Sequence, residues 1–178
     1  ERIYAGIEVG GMVRSWDAGD SWKQLHGMDA DVHLIHVSQS EPDVVYAATA
    51  EGPYRSKDAG ESWQTLAGGL ERRYSVAVVS APDDQSRVLA AVANNAGRKG
   101  AQAYASSNSG DAWERIALGA DDDMVVAFVW DPLDMERVYA GTDGGKLYVS
   151  ENRGETWRQG QISLPSIAVG AMAAAPAG

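Results

Sequence analysis

Apolar residues in this chain recur in short alternating runs, broken every five to ten residues by glycine, proline, aspartate or asparagine. Alternation of that length is the signature of half-buried strands, and no segment carries a sustained helical period. The runs come in sets of four: Val32–Val37, Val44–Ala48, Pro53–Ser56 and Ser62–Leu66 form one set. Ser75–Ser80, Arg87–Val92, Ala103–Ser107 and Ala112–Ile116 form the next, followed by Val125–Trp130, Arg137–Gly141, Lys146–Ser150 and Thr156–Gln159. Tyr4, Tyr46, Leu89 and Tyr139 fall at one equivalent position in each second strand and read as core residues. A unit of four strands repeated every forty-odd residues is a supersecondary module that buries its faces against its neighbours.

Each unit contains one short phrase closed by tryptophan. The copies run Ser15 to Trp22 (SWDAGDSW), Ser56 to Trp63 (SKDAGESW), Ser106 to Trp113 (SSNSGDAW) and Ser150 to Trp157 (SENRGETW). Glycine supplies the positive φ of a hairpin turn, at Gly19, Gly60, Gly110 and Gly154. Asp17 and Asp58 are placed to accept hydrogen bonds from turn amides. Asn108 and Asn152 keep the acceptor without the charge. The indoles of Trp22, Trp63, Trp113 and Trp157 are expected to lie over their hairpins as apolar lids. Ala112, in the place of the hydroxyl residue, makes the third turn the weakest of the four.

These phrases resemble the Asp-box, or BNR, repeat of sialidases, sortilin-type propellers and the photosystem II assembly propeller. The resemblance covers nearly the whole chain and implies an all-β fold, a β-propeller of four-stranded antiparallel blades. It also implies that the boxes are structural clasps rather than catalytic groups.

One unit spans the chain: blade one at about 1–26, blade two at 31–67, blade three at 74–118 and blade four at 124–160. Blade one opens on its second strand at Arg2–Ala5, while Ile167–Ala173 aligns with the innermost strands and reads as the strand that completes it. Sixteen strands then fit a closed four-bladed ring, an eight-bladed ring of two copies, or part of a longer propeller. A larger ring is favoured, because an open half-ring would leave apolar blade faces in water. The start at Glu1 rather than methionine is what a chain cut or processed upstream would show.

Charge narrows the partners. A formal net charge of −10 argues against nucleic acid or an anionic membrane, and no apolar run is long enough to span a bilayer. With no cysteine, disulfides and thiolate metal sites are excluded. The lack of cysteine leaves the compartment open, cytoplasmic or secreted, because many secreted bacterial proteins also lack it.

Strand order puts the boxes on one face and the second-to-third-strand and blade-entry loops on the other. On that rim Arg72, Arg73, Arg98 and Lys99 form a basic patch suited to a carboxylate, sulfate or phosphate. Glu51 and Asp143, with Glu8, recur in one loop class, while Asp29, Asp31 and Asp121–Asp123 lie in the neighbouring one. They lack a ligand-spaced calcium motif and read as solvated charge. His33 and His36, three apart on a strand, should point to opposite faces and share no metal. Gly141–Gly145 reads as a hairpin turn, not a phosphate loop.

No catalytic residue, metal or cofactor is assigned. The sialidase arginine phrase is absent, since Glu1-Arg2-Ile3-Tyr4 reads as a strand. The reading is a non-catalytic scaffold that offers rim loops to a protein, peptide or glycan. Its alternative is a glycoside hydrolase-type propeller using carboxylates such as Asp31, Glu51 or Asp121–Asp123.

Overall fold

A computed structural model describes residues 1–28, 30–118 and 123–176, so Asp29, Asp121 and Asp122 lie outside the described residues. Fifteen strands and no helix occur among the described residues. Blade one holds β1 (Ile3–Ile7), β2 (Gly11–Ser15) and β3 (Lys23–Leu25). Blade two holds β4 (Val32–Val37), β5 (Val45–Thr49), β6 (Gly52–Ser56) and β7 (Gln64–Thr65). Blade three comprises β8 (Tyr74–Ser80), β9 (Val88–Ala93), β10 (Gln102–Ser106) and β11 (Glu114–Ile116). Blade four comprises β12 (Val125–Trp130), β13 (Val138–Thr142), β14 (Lys146–Ser150) and β15 (Arg158–Ser163). Each sheet is an antiparallel meander, three-stranded in blade one and four-stranded in the others.

The blades stack in one succession, with β1 on β4, β4 and β5 on β8, and β8 on β12. Small residues on the second strands allow this close approach. Ala47, Ala48, Ala90, Ala91 and Ala140 are fully buried, and a Cβ on Gly6 would press on Val32 of the next blade. Three apolar clusters fill the seams, built around Met12 and Leu25, around Tyr46 and Val78, and around Leu89 and Val126.

The expected closing strand is not formed. Residues 167–173 contain no strand, and β1 pairs only with β2. The segment lies instead against blade four, where Gly170 N–H donates to Val126 C=O at 3.1 Å and Ile167 is buried. A strand needs a neighbour for its ladder, and blade one lies at the other end of the succession.

The box turns repeat nearly atom for atom. The opening serine is the hub: the Oγ of Ser56 accepts from Gly60 N–H at 2.7 Å and donates to Asp58 Oδ1 at 2.8 Å. Asp58 also accepts from Ser62 N–H at 2.8 Å and Ser62 Oγ–H at 2.6 Å. Ser15, Ser106 and Ser150 do the same in their boxes. The residue before each box glycine is also left-handed, at φ 58° for Ala18, 56° for Ala59, 63° for Ser109 and 57° for Arg153.

These bonds hold the Asp17 carboxyl at a pKa of about 2, chiefly through Ser21, and Ser62 lowers Asp58 likewise. A carboxylate with a depressed folded pKa contributes its stability above the unfolded pKa, about 4, and loses it as pH falls toward 2. Asn108 and Asn152 cannot titrate in that window. The double variant Asp17→Asn, Asp58→Asn should therefore show a shallower loss of stability between about pH 4 and 2 in acid titrations followed by circular dichroism. An unchanged acid limb would assign it to other carboxylates.

Candidate functional site

The loops opposite the boxes form a charged rim that runs across blades two, three and four. Glu51, in the β5–β6 hairpin, accepts a hydrogen bond from Tyr54 OH at 3.1 Å. The backbone of the neighbouring Gly52 faces Arg73 C=O, so this hairpin sits against the loop that enters blade three. Arg72 turns inward and donates to Gly100 C=O at 3.2 Å, with Glu71 at 3.8 Å. Arg98 crosses the next seam to Asp143 at 2.5 Å. Asp143 accepts in addition from Ser166 Oγ at 3.3 Å.

The basic patch is thus divided. Arg72 and Arg98 are tied into the scaffold. Arg73 and Lys99 are exposed and make no ion pair among the described residues. Arg98 has φ 57°, a conformation favoured by the tight Asn94–Gly100 turn, where Asn94 N–H donates to Lys99 C=O at 3.0 Å.

Asp123, read as part of a solvated acidic run, is instead a second clasp. It accepts from Thr142 Oγ1 at 2.9 Å and Gly144 N–H at 2.8 Å, with Lys146 Nζ at 3.3 Å, and so braces the Gly141–Gly145 hairpin. No group of three or more metal-ligating side chains converges among the described residues.

The histidines depart from their expected geometry. Both reach blade three, His33 Nδ1 to Ser75 C=O at 2.6 Å and His36 Nε2 to Ser80 Oγ at 2.9 Å. A register shift between Val32 and Leu34 adds one residue to the strand and brings the two side chains to the same side. Burial pulls the His36 pKa down to about 4.

The box face is occupied by structural bonds. The buried guanidinium of Arg14 on β2 donates to Ala59 C=O and to Glu61, each at 2.5 Å, so blade one grips the box of blade two. Arg55 repeats the grip on blade three, donating to Ser109 C=O at 2.6 Å, Asp111 at 2.9 Å and its own blade's Gln64 at 2.9 Å. In blade three the third strand carries Ala105 at this place, and Arg87 from the start of the second strand donates to Arg153 C=O at 2.8 Å instead. A cleft of about 430 Å³ is lined in part by Arg55, Gln64 and Asp111, the groups bonded to one another in this seam.

Three solved structures share this arrangement. An ancestral GH74 enzyme superposes with a TM-score of 0.75 at 19% identity, over 88% of this chain and 22% of that one. The GH74 xyloglucanase of Xanthomonas campestris gives 0.71 at 17%, over 89% and 28%. YCF48 bound to D1 peptide gives 0.62 at 20%, over 85% and 47%. A family model described as sortilin, neurotensin receptor 3, matches residues 101–172. The chain has a β-propeller fold. It spans about a fifth to a half of the length of those three chains. No curated protein matches it in sequence.

In this propeller two functional features escaped sequence reading. The box serine was visible as an invariant of the four phrases, yet its role as the acceptor for the glycine amide needs the turn's geometry. The arginine before it, Arg14 or Arg55, recurs only twice, so its part in joining blades carried no repeat signal.

Proposed function

We propose that this propeller is a non-catalytic binding scaffold whose rim holds an acidic peptide segment. The observation that carries the reading is the pair of exposed cations, Arg73 and Lys99, which make no ion pair among the described residues, on a rim where Arg72 and Arg98 are held by neighbours. Arg73 offers a planar fork for a carboxylate and Lys99 a mobile point charge. The YCF48 propeller, of similar fold, is seen with a bound peptide, so the ligand class suits the architecture.

A glycoside hydrolase mechanism asks for a carboxylic acid of raised pKa facing a second carboxylate. Among the described residues the carboxyls with a clear displacement, Asp17, Asp58, Glu61, Asp83 and Asp131, are all lowered by their hydrogen-bond donors. Glu51 and Asp143 are held by Tyr54 and by Arg98. This favours binding over hydrolysis, although two of the similar structures are GH74 proteins.

The test is a titration of a fluorescent glutamate-rich peptide. Binding should weaken roughly tenfold in the double variant Arg73→Ala, Lys99→Ala and fall with added salt. Binding unaffected by both changes, or release of oligosaccharides from xyloglucan by the unmodified chain, would overturn the reading.

A further inference from the structure

Blade three gathers its rim cations at one turn. Arg72 Nε donates to Gly100 C=O at 3.2 Å, so Arg73 and Lys99 each lie one residue from this bonded pair. Arg98 is the next residue along, and its half-buried guanidinium crosses to Asp143 of blade four at 2.5 Å. The patch therefore already holds one carboxylate, and that carboxylate belongs to the chain itself.

This pair is unlike the ion pairs of the box face. There Arg14 and Arg55 are 1% and 2% exposed, and each also donates to a backbone carbonyl of the next box. Arg98 is 29% exposed and Asp143 41%, and the Arg98 side chain has no second partner among the described residues. An exposed pair of this kind contributes little to a fold.

Neither turn needs it. Asp123 braces the Asp143 hairpin by accepting from Thr142 Oγ1 and Gly144 N–H. Gly145 N–H donates to Thr142 C=O at 3.0 Å, and the N–H of Asp143 donates to Met124 C=O at 2.9 Å. Across the seam Arg98 N–H donates to Asn95 C=O at 2.8 Å and Gly97 N–H to Asn95 Oδ1 at 2.9 Å. Both backbones stay in place when the side chains part, so Asp143 can turn out to water and leave Arg98 to another carboxylate.

We propose that Asp143 is a built-in competitor on the rim, exchanging on Arg98 with a carboxylate of the bound acidic peptide. The inference rests on the acidic-peptide reading of the rim and adds a third cation to Arg73 and Lys99. A guanidinium fork takes either carboxylate in the same way, so the tethered one and the ligand's compete for the same N–H groups. Tethering gives Asp143 a high local concentration. A ligand with a single carboxylate gains little against it. A run of acidic residues, already anchored on Arg73 and Lys99, meets Arg98 on equal terms.

Titration of the fluorescent glutamate-rich peptide into the full 178-residue chain tests the exchange. Asp143→Asn should tighten binding about three- to fivefold, the span of an exposed ion pair, and leave the thermal midpoint where it is. In an Arg98→Ala background the same substitution should change binding less than about 1.5-fold, because the contested guanidinium is gone. Equal tightening in both backgrounds would assign the gain to net charge on the rim. No tightening, or a weaker complex, would make the pair a brace of the seam. Each of these overturns the proposal. Binding that needs Arg73 and Lys99 but ignores Asp143 overturns the exchange alone, whereas binding that ignores Arg73 and Lys99 as well removes the rim reading with it.

Discussion

Trp113→Ala is expected to destabilise the propeller by about 4 kcal/mol, the range of a buried aromatic truncation, whereas Trp22→Ala should cost the monomer under about 1 kcal/mol. The two residues close equivalent phrases, so local turn chemistry predicts equal effects. The seam predicts the difference. Trp113 is 9% exposed, donates from Nε1 to Leu66 C=O at 2.8 Å and packs into the cluster that joins blades two and three. Trp22 keeps its bond within the turn, to Gly19 C=O at 3.1 Å, and is 47% exposed, with no other blade of the described residues packed over it. Urea unfolding of the two variants measures the contrast. Equal losses would show that the indoles act as lids on their own hairpins.

That contrast also marks how far the sequence could be read. Strand positions were legible because the alternation is strict and the period is repeated: Val32–Val37, Val125–Trp130 and Lys146–Ser150 appear with the expected bounds. The boxes were legible because four in-phase copies fix which letters matter. What lay outside reach is what depends on a neighbouring blade. A tryptophan that faces a seam and one that faces solvent have the same local sequence. The bulge that turns His33 and His36 to one side is one extra residue in a ladder, and no residue type announces it.

The rim was half legible for the same reason. Loop membership follows from strand order, so Arg72, Arg73, Arg98 and Lys99 were placed on one face from the sequence. Which of them are free is decided by partners far along the chain, Gly100 for Arg72 and Asp143 for Arg98. The third box shows the reverse case. Ala112 removes a side-chain bond, as expected, but Ala112 N–H still donates to Asn108 Oδ1 at 2.8 Å and the turn is held from outside by Arg55 and by Ser109 Oγ to Gln85 at 2.9 Å. Its weakness as a hairpin is offset by its place in the seam.

Arg55→Ala should therefore be among the most damaging single changes in the chain, at about 3 kcal/mol, or roughly 6–12 °C in Tm for a domain of this size. The guanidinium is 2% exposed and supplies three bonds, to Ser109 C=O, Asp111 and Gln64. Its removal leaves the Ser109 carbonyl with only the long contact from Tyr46 OH at 3.5 Å, turns the Gln64 amide oxygen over to water, and opens a cavity at the junction of blades two and three. The Asp111 side chain is 49% exposed, so water can serve it, and the loss stays at the low end for a broken buried pair. Arg55→Lys separates the contributions. A lysine keeps the charge but cannot form the fork that holds Ser109 and Asp111 together, so about half the loss should remain. In a repeat protein the seams carry the coupling between units. Thermal unfolding of Arg55→Ala should accordingly broaden or split as blades one and two separate from three and four. A sharp transition with an unchanged midpoint would mean that apolar packing alone joins the blades.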